Sequence, residues 1–347
     1  MKKLLLIVVV VALIAGAAAT FVFNSASGQD ALLKRVLTTM MSSTPDTFDG
    51  LRVVVCGSAS PLGADPTRAQ ACIAVVTPEH FFLIDVGARS PLRIRQAQLP
   101  MARLNGVLLT HFHSDHIAAL PDVNLTYWIG NRTTAMTVYG PPGVDTVVDG
   151  FNTAYSLDRG YRTAHHGAEL LAPERGPMQA KSFTPGAVVW QDDLLKVTSF
   201  KVEHHPIDPA VGYRIDYRGR SVVVSGDSNA ADSLFAAAKD ADLLLHDALS
   251  RAMLDPMIET ATELNVPIMP KIMTDVIDYH ADTLSLPERA KAAGIAQLAL
   301  YHLVPVPPNS LAERVFRRGL PDEVIITKDL QTFDFPTNSS EIIVTDP

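Results

Sequence analysis

Residues 110–116 read Thr-His-Phe-His-Ser-Asp-His and follow directly on the apolar run Val107-Leu108-Leu109. A run of that kind ends a strand. Four potential metal ligands close to its end, His111, His113, Asp115 and His116, require a fold that delivers further ligands to the same strand end. His111 and His113 are separated by one residue, so in an extended segment they point the same way and can bind one ion through neutral imidazole nitrogens. Asp115 and His116 then leave the strand and can face a second ion. Mixed nitrogen and oxygen ligands suit zinc, with manganese or iron as alternatives. A histidine-rich surface loop is the competing reading, and it gives no reason for four ligand types at this spacing.

Such a centre needs a substantial core around it. The chain has 347 residues, 47% of them hydrophobic and 19% charged, which allows one large or two ordinary domains. Its net charge of −8 argues against a broad basic surface, and nucleic-acid binding draws its affinity chiefly from phosphate neutralisation. No nucleic-acid partner is therefore expected. There is no internal repeat and no low-complexity tract.

Met1-Lys2-Lys3 precedes an uncharged run from Leu4 to Phe23, followed by small residues at Ala17-Ala18-Ala19 and Ser25-Ala26-Ser27 that suit cleavage. Residues 1–27 thus read as an export signal or, since about 20 apolar residues span a bilayer, as an uncleaved membrane anchor. Either reading places the catalytic part outside the cytoplasm, in the periplasm or secreted, or tethered by residues 4–23. Residues 28–50 read as an amphipathic helix, with Leu32, Leu33, Val36, Leu37, Met40 and Met41 on one stripe, and a linker from Ser42. Residues 51–347 form the main domain. Its two cysteines, Cys56 and Cys72, fall in the first two strands; two buried thiols are the expected state, although an oxidising compartment permits a bridge.

Apolar runs at Leu51–Cys56, Ala71–Val76, Phe81–Val86, Gly106–Thr110, Met136–Tyr139, Leu195–Val202, Val211–Tyr217, Ser221–Ser225, Leu243–Leu245 and Ala299–Leu303 predict strands. Pro121–Ile129, Gly143–Ser156, Ser228–Lys239, Ser250–Asn265 and Leu286–Ala293 predict helices. This mixture points to an α/β protein of two sheets with helices outside. Tyr161 to Gly186 reads as a long irregular excursion, the kind that borders active sites.

At this point the chain resembles the metallo-β-lactamase-fold hydrolases, in the branch that holds ribonuclease Z and the arylsulfatase-like enzymes. The resemblance covers roughly residues 51–345 and rests on landmarks in the family's order. These are Cys56-Gly57-Ser58-Ala59-Ser60-Pro61, Leu83-Ile84-Asp85-Val86-Gly87, the histidine motif, Gly212-Tyr213-Arg214, Ser225-Gly226-Asp227-Ser228 and Tyr301-His302-Leu303-Val304-Pro305. It implies the αββα four-layer sandwich and a site for two metal ions.

Two like-charged ions near each other need an anion between them. Asp227 follows a strand on a tight glycine turn, and the resemblance gives it that bridging role. His302 resembles the last ligand of the second site. The first site needs a third histidine, His204 or His205, which point to opposite faces of a strand; the family pattern matches Val202-Glu203-His204. The resemblance thus implies His111, His113 and His204 around one ion, Asp115, His116 and His302 around the other, and Asp227 shared. The ions would lower the pKa of a water towards ~7 and stabilise the developing oxyanion. Asp85 is expected to orient a ligand histidine. Asp115 counts as catalytic as well as ligating, and His280, in Tyr279-His280-Ala281-Asp282-Thr283, resembles the residue that would protonate the leaving group. His165 and His166 lie in the excursion as cleft-lining or exposed residues; His246 is expected to be structural and His80 a turn residue.

Ribonuclease Z carries a long tRNA-grasping arm between the positions of His204 and Asp227, whereas only residues 205–226 lie there in this chain. With an acidic balance and an export signal, the expectation is an exported dinuclear zinc hydrolase of small anionic esters, aryl sulfates or phosphodiesters. A lactonase is the alternative. A tRNA 3′ endonuclease is disfavoured, and a non-hydrolytic metal-binding or redox protein on the same fold is the reading from another class. Homodimerisation is compatible with the sequence.

Overall fold

The computed structural model describes residues 2–42, 48–63, 65–130 and 132–347. It divides the chain into two units, Met1–Asp46 and Thr47–Pro347. The first unit holds helices Lys2–Asn24 and Ala26–Ser42. Among the described residues no single helix is long and apolar enough to cross a membrane, while the bent pair Val9–Asn24 and Ala26–Thr39 passes that test together. The linker expected from Ser42 to Gly50 falls mostly outside the described residues.

Among the described residues the second unit carries fifteen strands: β1 (Gly50–Gly57), β2 (Cys72–Val76), β3 (Phe81–Ile84), β4 (Gly106–Leu108), β5 (Thr137–Gly140), β6 (Gln179–Ser182), β7 (Val188–Gln191), β8 (Leu195–His204), β9 (Ile207–Tyr217), β10 (Arg220–Val224), β11 (Leu243–Leu249), β12 (Gln297–Val304), β13 (Ile325–Ile326), β14 (Thr332–Pro336) and β15 (Ile343–Thr345). They form an eight-stranded sheet in the order β15-β14-β1-β2-β3-β4-β5-β6 and a seven-stranded sheet in the order β13-β12-β11-β10-β9-β8-β7. The inner faces meet in an apolar core that includes Val53, Val55, Ile73, Phe82 and Ile84 from one sheet and Val211, Tyr213, Val222, Val224 and Leu245 from the other. Each outer face is buried under helices: Leu120, Val123 and Val148 pack on the first sheet, and Leu234, Leu286 and Phe316 on the second. This is the αββα sandwich. Central strands covered on both faces read as continuous apolar runs rather than alternating ones, as in Val222-Val223-Val224.

Two expectations change here. Cys56 and Cys72 are joined in a disulfide with their Cα atoms 4.9 Å apart, not left as thiols. The reason is register: Gly57 pairs with Cys72 across a bulge between β1 and β2, which sets the two cysteines side by side. The excursion is also more regular than expected, because Ser156–His166 is a helix and Gln179–Ser182 adds β6 to the sheet edge beside β5.

Candidate metal centre

The site lies where strands of both sheets end. The 111–116 segment leaves β4, Asp227 follows β10, and His204 and His302 sit at or near the ends of β8 and β12. Parallel pairing of β10, β11 and β12 brings the ends of these three strands to one edge of the sandwich, the usual place for a site in such sheets.

Unusual backbone aims several of these side chains. His302 has φ 45° and sits where the β11–β12 register slips, Asp247 pairing with Tyr301 and Ala248 with Leu303. His302 is thus the extra residue of a bulge, turned out of the ladder towards the site. Holding a non-glycine residue there costs on the order of 1–3 kcal/mol. Asp85 has φ 56°. Gly226, φ 65°, precedes Asp227, and a Cβ there would stand 2.9 Å from both Thr110 Cβ and the Val211 carbonyl. Only glycine lets the Asp227 turn approach the histidine strand this closely.

The donor atoms converge. His111 Nε2 lies 3.0 Å from His113 Nδ1, and His204 Nε2 lies 3.3 Å from the same nitrogen. Asp227 Oδ2 is 3.8 Å from His111 Nε2, 3.9 Å from His204 Nε2 and 3.3 Å from His116 Nε2. Asp115 Oδ2 is 3.4 Å from His116 Nε2 and 2.9 Å from His302 Nε2. Ligand atoms at ~2.0 Å around a tetrahedral ion stand ~3.3 Å from one another, so this crowding has the dimensions of two coordination spheres meeting at Asp227. His204 faces inward and is buried, whereas His205 is exposed.

The surrounding hydrogen bonds leave the right atoms free. Asp85 accepts from Thr110 N, Thr110 Oγ1 and His116 Nδ1, the last at 2.8 Å. His204 Nδ1 donates to the Tyr279 carbonyl at 3.0 Å. Their Nε2 atoms are thereby presented to the site. His116 Nε2, Asp227 Oδ1 and His302 Nδ1 are buried without a hydrogen bond; the last two approach to 3.3 Å but lack the geometry of one. Groups that face a common point rather than each other fit a shared cation.

Electrostatics agree. Burial lowers His111 well below the usual histidine value, helped by His116, and burial also lowers His113 and His204, so these three imidazoles are neutral ligands in waiting. At His116 and His302 burial acts in the same sense, but Asp227 and Asp115 outweigh it and raise both. Burial would raise Asp227 and Asp115, yet His116 and His302 beside them hold both below the carboxylate range. With no metal, protons on His116 and His302 supply the positive charge that the buried carboxylates demand. The residues fit a pair of cations.

His280 joins this group, with a ring nitrogen within 4.8 Å of a carboxylate oxygen of Asp227 and a ring nitrogen of His302. Its Nδ1 lies 2.8 Å from Asp247 Oδ2, so Asp247 orients the ring. Asp247 is fully buried, accepts from Ser228 N at 3.1 Å and lies 3.0 Å from His246 Nδ1. Sequence reasoning missed Asp247; the signal was its place at the end of β11 in His246-Asp247-Ala248, between the strands that carry Asp227 and His302. His165 and His166 are exposed at the end of their helix and join no ligand cluster. His80 is buried in a turn, bonded to Thr77 and Asp192.

Residues 80–302 match the family described as beta-lactamase superfamily domain. A ribonuclease Z from Mycobacterium bovis (strain BCG / Pasteur 1173P2) is 34% identical over 258 residues, which span 74% of this chain and 86% of that protein. Among solved structures, the metallo-beta-lactamase fold protein YhfI from Bacillus subtilis aligns with TM-score 0.59 at 20% identity, covering 83% of this chain and 100% of that one. Human tRNase Z, short form, aligns with TM-score 0.57 at 18% identity, covering 82% and 99%.

These findings overturn the expectation of a hydrolase of aryl sulfates or other small anionic esters, and of a chain with no nucleic-acid partner, because the similar curated proteins are ribonucleases by name. The charge argument failed for a physical reason. A net charge sums the whole surface, while bound cations set the local field at a metal site. The chain is a metal-dependent hydrolase with a dinuclear type of site, and it belongs to the beta-lactamase superfamily, with the metallo-β-lactamase fold and ribonuclease Z among its homologues.

Proposed function

We propose that this chain is a ribonuclease Z-like endonuclease that hydrolyses a phosphodiester bond of transfer RNA at two zinc ions. The observation that carries this reading is the identity with the mycobacterial ribonuclease Z along most of its length. In this reading His111, His113 and His204 would hold one ion and Asp115, His116 and His302 the other, with Asp227 available to both. Zinc follows from the donor set, five imidazoles and two carboxylates with no thiolate. The pair of ions, when bound, supplies a nucleophile at neutral pH and stabilises negative charge developing on the phosphoryl oxygens.

The protein's own groups do the rest. Asp85 and the Tyr279 carbonyl hold His116 and His204 in one tautomer. Asp247 accepts the Nδ1 proton of His280, which leaves Nε2 to carry the proton given to the departing ribose oxygen. Bond cleavage then releases a neutral hydroxyl rather than an alkoxide.

The test is a cut. The full chain, loaded with zinc, is incubated with a tRNA precursor bearing a 3′ trailer, and the products are mapped at nucleotide resolution. One defined cleavage, lost on chelation and restored by zinc, is expected. A chain that binds two metal ions per molecule and leaves the precursor intact overturns the reading.

A further inference from the structure

Tyr279 stands between the two functional halves of the site. Its ring is edge-on to His204, with centroids 5.1 Å apart and planes at 82°, and tilted against His280 at 5.0 Å. One neighbour is the inner ligand of the first metal position. The other is the proton donor. The ring is half-buried and packs against the cluster of Leu254, Met273 and Val276, and its backbone is pinned because its carbonyl accepts from His204 and the adjacent Asp278 carbonyl accepts from Asn229 Nδ2 at 2.8 Å.

The phenol is the unexplained part. Packing and the backbone bond would be served by phenylalanine, yet the hydroxyl has no hydrogen-bond partner among the described residues. Tyr301, the other tyrosine against a site histidine, is 1% exposed and cannot meet a substrate. A group lying alongside both His204 and His280 lies alongside the bond between the metal-held phosphoryl group and its leaving oxygen.

We propose that Tyr279 contacts the substrate, its phenol donating a hydrogen bond to a non-bridging oxygen of the phosphodiester held at the metal centre. The proposal rests on the phosphodiesterase reading above. A neutral donor suits this place, since the anionic oxygen accepts it without a further charge being buried.

Tyr279→Phe removes the hydroxyl and keeps the ring, and Tyr279→Ala removes both. Both variants are assayed with zinc on the tRNA precursor and on bis(4-nitrophenyl) phosphate, a phosphodiester with no nucleotide, while melting temperature and metal content check the fold. Equilibrium binding of inorganic phosphate gives a readout apart from turnover. Tyr279→Phe is expected to keep its metal and its melting temperature, to lose about tenfold or more in kcat/KM on both substrates, and to bind phosphate more weakly. On precursors with a single phosphorothioate at the cleavage site, the loss should vanish for one diastereomer, because sulfur accepts hydrogen bonds poorly. Wild-type rates and phosphate affinity in Tyr279→Phe, with a loss only in Tyr279→Ala, would reduce the residue to packing and overturn the proposal. If the wild type cleaves the small diester but no tRNA, the tRNA reading fails and Tyr279 is judged on the diester alone. A wild type that cleaves neither sinks both.

Discussion

Asp247 lies outside the motif that dominates the sequence, but its carboxylate holds His280, the proton donor in the endonuclease reading. Its Oδ2 holds His280 Nδ1 while its Oδ1 receives Ser228 N and faces His246. Burial alone would raise its pKa; His246 and His280 more than offset that and keep it a carboxylate. Asp247→Asn keeps the shape and replaces an acceptor by an amide that can present its NH2 to His280. The imidazole would then have to offer Nδ1 as acceptor, which leaves only the neutral Nε2–H tautomer and no carboxylate to support the doubly protonated ring that gives its Nε2 proton away. In the endonuclease reading kcat should fall by about 10²-fold or more, with KM and zinc content little changed, because none of the seven ligand positions moves. Steady-state kinetics beside metal analysis checks this, and a variant that loses its zinc as well would place Asp247 among the ligand supports instead. The side chains that cluster at the site were legible residue by residue, since imidazoles and carboxylates at these spacings have few other uses. Asp247 was not, because a carboxylate acting through another residue leaves no spacing signature.

At the scale of elements, the strands through the sandwich centre could be read from their apolar runs, and the edges could not. The strand reading stops at Leu303, but β14 pairs with β1 from Gly50 opposite Pro336 to Val54 opposite Thr332. Phe333 and Phe335 are buried there while Asp334 meets Arg52 at 2.6 Å. That alternation is short and ends in proline, and its partner lies some 280 positions earlier, a pairing that no local pattern announces. Bulges are equally silent: the slip that turns His302 into the site shows only in the register. The β1–β2 disulfide belongs here too, and with the uncharged run at residues 4–23 it bears on where the protein works. Disulfides persist in oxidising compartments, so we propose that the amino-terminal segment carries the hydrolase unit across, or holds it to, a membrane. Fractionation of the tagged full chain should find it with the membrane or outside the cytoplasm, with both cysteines protected from alkylation until reduction. Recovery in the cytosol with two free thiols would overturn this.

For the whole molecule, the histidines make metal-free stability a peaked function of pH. His111, His113 and His204 sit below the usual histidine value, chiefly through burial. As pH falls below the unfolded value near ~6.5, the unfolded chain takes up three protons that the folded chain refuses, so stability falls with pH. His116 and His302 sit above it because Asp227 and Asp115 outweigh their burial. Their stabilisation is complete below ~6.5 and is lost as pH rises through their folded values, since there the folded chain binds more protons than the unfolded one. The two sets pull in opposite directions from nearly the same pH. The metal-free chain should therefore melt highest near pH ~6.5 and lower on both sides. Zinc changes both limbs: it binds deprotonated imidazole and displaces the protons on His116 and His302, so the alkaline fall should flatten or reverse while the acid fall steepens as ligands are protonated. Melting curves from pH 4 to 9, with chelator and with excess zinc, check both limbs. A metal-free protein whose stability keeps rising through pH 8 would mean that His116 and His302 are not the groups holding charge for the absent ions, and the electrostatic account of the dinuclear site would fail with it.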